Sequence, residues 1–130
     1  MQAILFDSDG VLVDTERPFF EATLDAFEQA GVALSVAQWA RWYLSEGKRS
    51  KDIAAMLGMV PSSIESTIEK RNAMFWNRID HGVTLFPGVR ETLTHLVPQF
   101  QLAVVTGATR PHYDRVHAAT GLGGFFNVVV

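Results

Sequence analysis

Apolar and polar positions divide the chain into short runs and helical stripes. Residues 3–6 (Ala-Ile-Leu-Phe) form a continuous apolar run that stops at Asp7. A run of that length, bounded by Asp, Ser and Gly, predicts a strand buried on both faces of a parallel sheet. From about Arg17 to Ala30 the period becomes helical, with Phe20, Leu24 and Phe27 at i, i+4 and i+7. Pro18 near the start and Gly31 beyond the end punctuate that helix in the expected order. Ser35 and Gln38 have capping-box spacing ahead of Trp39, Trp42 and Tyr43. Ser50 is placed to cap a short helix with Ile53, Met56 and Leu57 inward and Gly58 at its end. The clearest helix opens at Pro61, where Ser62 and Glu65 again have capping-box spacing. Ile64, Ile68, Phe75 and Ile79 form its apolar face, and Gly82 lies beyond its end.

Residues 17–82 therefore read as an all-helical segment. After Pro87-Gly88 comes a helix with Val89, Leu93 and Leu96 on one face, then an apolar strand over Gln101–Val105 ending at Thr106-Gly107. Thr109 and Pro111 open another helix, and residues 125–130 read as a third strand. Strands separated by helices imply right-handed crossovers, an α/β class and a doubly wound parallel sheet. Residues 1–16 and 83–130 would form that sheet domain, with 17–82 as a helical insert. In such sheets functional groups gather beyond the carboxyl ends of the strands. Two polar clusters fall there: Asp7-Ser8-Asp9-Gly10 and Thr106-Gly107-Ala108-Thr109-Arg110.

Composition narrows the classes. The 130 residues are 48% hydrophobic and 11% aromatic with a net charge of −3, a balance that disfavours disorder. Eleven Lys and Arg against fourteen Asp and Glu argue against nucleic acid as a partner. No cysteine is present, so disulfides and thiolate metal sites are excluded. The apolar runs are too short to span a bilayer, and no charged-then-apolar leader precedes the first strand. A soluble, cytoplasmic protein without a membrane partner is expected. His81, His95, His112 and His117 show no metal-ligand spacing and receive a structural reading.

Asp7 and Asp9 stand two residues apart where a strand opens into a loop. On an extended backbone both carboxylates lean to one side. Close carboxylates repel unless a cation lies between them or one is protonated, and Mg²⁺, a hard ion taking oxygen ligands, would remove the penalty. Gly10 gives the backbone freedom to turn sharply. Spacing alone leaves loop-capping aspartates as an equal alternative. A calcium-binding hand is excluded, because its required Gly and Glu positions hold Leu12 and Pro18.

Phe6-Asp7-Ser8-Asp9-Gly10-Val11-Leu12-Val13-Asp14 resembles the first signature of the haloacid dehalogenase-like (HAD) hydrolase superfamily. Leu102–Val105 followed by Thr106-Gly107 resembles its second signature. Pro87-Gly88-Val89, with Leu93 and Leu96, is similar to the return from a helical cap into the core. A helical insert between the two signatures resembles the phosphoglycolate phosphatase and β-phosphoglucomutase branch. The fold implied is a partial Rossmann-like sheet with an inserted α-helical cap.

The resemblance implies roles residue by residue. Asp7 would attack phosphorus to form an aspartyl-phosphate, and Asp9 would act as general acid and then base. Mg²⁺ would be held by the Asp7 carboxylate and the Asp9 backbone carbonyl, while Thr106 and the Gly107 backbone would receive the phosphoryl group. Lys48 and Arg49 fall where relatives present a substrate-reading loop, and suit a small phosphorylated substrate. Dehalogenases of the superfamily lack the second Asp, so Asp9 favours phosphoryl chemistry. β-Phosphoglucomutases place a His shortly after the position of Asp14-Thr15, where this chain has Phe19-Phe20. That favours a phosphatase over a sugar phosphomutase.

The family's third signature, a Lys, and its fourth, an acidic cluster, normally lie beyond the third strand. Here no Lys follows Lys70, and the last acidic residue is Asp114. A catalytically incomplete phosphate-binding or interaction module is therefore the alternative expectation. The first strand would also have one unpaired edge, a template for self-association.

Overall fold

The computed structural model describes residues 2–130. The chain divides into two compact units. One comprises the residues up to Glu16 together with Arg78–Val130; the other is Arg17–Asn77. The second crossing thus falls inside a helix, five residues before the Gly82 boundary expected from the sequence.

The first unit contains a three-stranded parallel sheet, β1 (Ala3–Phe6), β4 (Gln101–Val104) and β5 (Val128–Val129), in the order β1-β4-β5. Register runs from Ala3 opposite Gln101 to Phe6 opposite Val104. Helices α5 (Val89–Leu96) and α6 (Arg110–Thr120) provide the crossovers. Leu93, Leu102, Val104, Val116 and Leu122 fill the core, with Ile79 from the last turns of α4 (Pro61–His81). Thr109 caps α6 by accepting the His112 amide, with Pro111 in its first turn.

Three expectations change here. Ala3–Phe6 is a strand but is not buried on both faces. Among the described residues it pairs with β4 alone, and its side chains alternate between exposed and half-buried, with Leu5 66% exposed. The last strand is shorter than expected, because Phe125 belongs to a 3₁₀ turn over Gly123–Phe125. A two-stranded antiparallel ribbon, β2 (Val13–Asp14) with β3 (Thr84–Leu85), escaped the periodicity. Two-residue strands carry no readable period.

The second unit is helical: α1 (Glu16–Gln29, shared at its first residue), α2 (Val36–Trp39), α3 (Ser50–Met56) and most of α4. Residues Ala40–Ser45 continue α2 as a π-helical stretch, with the Glu46 amide reaching back to Arg41. Phe27, Leu34, Trp39, Ile53, Ala54, Met59 and Ile68 form its core. Trp39 and Tyr43 stack with centroids 4.0 Å apart, and Phe19 packs against both and against Phe75.

The Ser35–Gln38 capping box forms in full. The other two caps do not. Arg49, not Ser50, stands at the N-cap of α3, and the Ser50 hydroxyl accepts from Arg71 at 2.8 Å instead. Ser62 lies inside the first turn of α4, and Glu65 reaches Lys51 at 2.8 Å. Met56, expected inward, is exposed at the end of α3. No helix of the described residues is long and apolar enough to cross a membrane.

Candidate active site at the carboxyl ends of the strands

Parallel pairing of β1 with β4 brings both polar clusters to one end of the sheet. The Val105 amide donates to the Phe6 carbonyl at 2.8 Å, so Asp7 and Thr106 leave adjacent strands side by side. Asp7 is exposed, while Asp9 and Thr106 are half-buried. The Ser8 amide donates to Asp7 Oδ1 at 2.7 Å, which sets the carboxylate's orientation. Thr106 Oγ1 accepts the Ala108 amide at 3.1 Å, leaving the hydroxyl proton for another acceptor.

The loop after Asp7 is tightly wound. The Ser8 carbonyl accepts from the amides of Val11, Leu12 and Val13, and Gly10 donates to the Val13 carbonyl at 2.9 Å. Gly10 makes this possible with φ of +79°, a conformation that disfavours residues with a Cβ.

Carboxylates crowd this end of the unit. Glu16 has its pKa pushed up, first by burial and then by the negative charges of Asp9 and Asp14. The field therefore favours a cation. Asp7 and Asp9 offer hard oxygen donors, which suits Mg²⁺, an ion commonly held by one or two carboxylates together with water and substrate phosphate. Among the described residues no group of three or more His, Asp or Glu forms a ready-made metal site.

Histidines, assigned structural roles from the sequence, also converge here. His112 Nε2 lies 3.0 Å from Asp9 Oδ2. His117 is 5% exposed, and its Nε2 is 2.8 Å from the hydroxyl of Ser8, itself 2% exposed. Burial holds the His117 pKa below its ordinary value, although Asp9 and Asp114 pull it upward. A sequence signal existed: Tyr113, Val116, His117 and Thr120 form the buried i, i+3, i+4, i+7 face of α6.

Lys48 and Arg49 belong to the helical unit, and each has a carboxylate beside it. Lys48 Nζ is 3.3 Å from Glu46, and Arg49 Nε is 3.2 Å from Asp52. The buried cation of that unit is Arg71, 6% exposed, which the sequence reading passed over. Its hydrogen-bond partners are Thr23, Ser50 and Asn72, and the guanidinium lies 4.3 Å above the Phe19 ring.

The family model for haloacid dehalogenase-like hydrolases matches residues 4–130. The chain belongs to that family. It is 29% identical over 139 residues to a phosphoglycolate phosphatase of Pectobacterium atrosepticum, covering all of this chain and 58% of that protein. A candidate beta-phosphoglucomutase of Thermotoga maritima superposes with a TM-score of 0.81 at 25% identity, over 100% of this chain and 61% of that one. A subfamily IA HAD hydrolase of Geobacter sulfurreducens gives 0.78 at 20% identity, covering 100% and 62%. The chain thus spans about three-fifths of the length of these relatives.

Proposed function

We propose that the protein is a Mg²⁺-dependent phosphatase for a small phosphorylated metabolite, working through an aspartyl-phosphate on Asp7. The observation that carries this reading is the placement of Asp7, Asp9 and Thr106 at adjacent parallel strand ends.

Asp7 Oδ attacks phosphorus as the bond to the substrate alcohol breaks, and Asp9 gives that alcohol its proton. Water then attacks the same phosphorus, Asp9 takes the water's proton, and the Asp7 carboxylate is released. The Thr106 hydroxyl and Gly107 backbone donate to the phosphoryl oxygens. Mg²⁺ bound by Asp7 and Asp9 would offset charge between nucleophile and phosphoryl group.

Phe19 and Phe20 support hydrolysis over a mutase reaction. Both rings are engaged in the aromatic cluster around Trp39, and neither can carry a proton. The alternative reading is a phosphate-binding or interaction module that does not turn its ligand over.

Hydrolysis of p-nitrophenyl phosphate with Mg²⁺ separates the two. Turnover abolished by chelator, and reduced on the order of 10⁴-fold or more in Asp7→Asn, supports the enzyme. No turnover from folded protein that still binds phosphate supports the module.

A further inference from the structure

Ser8 stands between the two aspartates, and all three of its polar groups are engaged. Its amide donates to Asp7 Oδ1, its carbonyl gathers three loop amides, and its hydroxyl meets His117 Nε2. The imidazole is fixed in turn. Tyr113 stacks on it with centroids 4.2 Å apart, and Phe126 stands edge-on at 6.4 Å. On the far side Nδ1 lies 3.2 Å from Thr120 Oγ1, which also accepts the Leu122 amide and donates to the His117 carbonyl.

That network assigns the tautomer. The Thr120 proton is directed to the carbonyl, so Nδ1 donates to Thr120 and Nε2 accepts from Ser8. Ser8 is thus anchored as a donor to α6, a helix 109 residues away in sequence. An apolar side chain at position 8 could fill the same space, but it could not fix the rotation of the loop.

We propose that His117 is a positioning residue for the acid pair: through the Ser8 hydroxyl it presets the Asp7–Asp9 loop to receive Mg²⁺. This rests on the reading of the Asp7 carboxylate and the Asp9 backbone carbonyl as the groups that hold the metal. Oriented ligands bind without first paying for loop ordering, and loss of such outer partners typically weakens metal binding about 10- to 100-fold.

The experiment is an Mg²⁺ titration of the ¹⁵N-labelled chain, read from the amide shifts of Asp7, Ser8 and Asp9. Ser8→Ala removes one side of the bond with little change in volume. His117→Phe removes the other while keeping a stacking ring, and His117→Gln keeps a polar partner. The expected result is roughly tenfold weaker binding in Ser8→Ala and His117→Phe. The double variant should be no weaker than either, and His117→Gln should recover at least part of the loss. Ring ¹⁵N shifts should show Nδ1 protonated in the wild type.

Unchanged Mg²⁺ affinity in Ser8→Ala, or fully additive losses in the double variant, would overturn the inference and leave the phosphatase reading intact. An unfolding midpoint lowered with affinity retained would have the same meaning. No Mg²⁺ response at Asp7–Asp9 in the wild type would overturn the metal-site reading, and the inference with it.

Discussion

Each unit of the molecule buries one strongly polar side chain, and the two are handled in opposite ways. In the sheet unit, His117 is held toward its neutral form by burial, with hydroxyl partners on both ring nitrogens. In the helical unit, burial also pulls the Arg71 pKa downward, but a guanidinium does not give up its proton in a protein. Arg71 stays charged among the neutral oxygens of Thr23, Ser50 and Asn72 and the face of Phe19. His117 is tied to the loop that carries the acid pair. Arg71 is tied to α1 and α3. The same device, a buried polar group met by hydroxyls, anchors a loop in one unit and joins helices in the other.

The largest effect on stability is expected at Arg71. Arg71→Ala removes a packed stem and leaves Ser50 Oγ without its guanidinium partner, at a cost of about 3 kcal/mol. Arg71→Met keeps much of the stem and removes the cost of burying a charge, so it should restore a large part of that loss. Urea unfolding of the three proteins measures both steps. A midpoint unmoved in Arg71→Ala would show that the cation does not hold these helices together.

The contrast between the two knots also shows what the sequence makes legible. Asp7, Asp9, Thr106 and the strands before them stand out because they are local: an apolar run, then polar residues and a glycine. The Ser35–Gln38 box is legible for the same reason, since both partners lie within one turn. Ser50 has equally good capping chemistry, yet Arg71, 21 residues later, takes its hydroxyl. Glu65 is likewise drawn to Lys51, 14 residues earlier. Local propensity fails where a distant partner offers the same side chain a better bond. The Ser8–His117 pair is the extreme case, because only the parallel crossover brings α6 beneath the loop. Lys48 and Arg49 are visible as cations in the chain, but the carboxylates beside them become evident only in three dimensions.

Acid separates the two knots next. The unfolded chain's imidazole protonates as pH falls through about 6.5. In the folded protein His117 resists protonation, because burial outweighs the opposing pull of Asp9 and Asp114. Over that window the unfolded state binds more protons, so the stability His117 contributes is present above the unfolded pKa and is lost as pH falls toward the folded one. Arg71 does not titrate there. The stability gap between wild type and His117→Phe should therefore narrow from pH 7.5 to 5.5, while the gap for Arg71→Ala stays constant. Paired urea curves at the two pH values test this, and a His117→Phe gap that does not narrow would count against a buried neutral imidazole.

The smallest effect is expected where α3 and α4 are joined a second time. Arg71–Ser50 links them in the interior, and Lys51–Glu65 links them on the surface at 2.8 Å, with side chains 50% and 67% exposed. Distance alone would rank these two bonds as equals. Solvent decides otherwise: water screens the exposed pair and competes for both partners, so its net worth is below about 1 kcal/mol despite full formal charges. Glu65→Gln should therefore lower stability by less than that, and the difference should vanish in 1 M salt, where the screening length falls to about 3 Å. The Arg71→Ala loss rests on packing and desolvated hydrogen bonds, and it should survive the same salt. If Glu65→Gln instead cost as much as Arg71→Ala at high salt, the surface pair would join the helices as strongly as the buried cation, and exposure would not rank the two bonds.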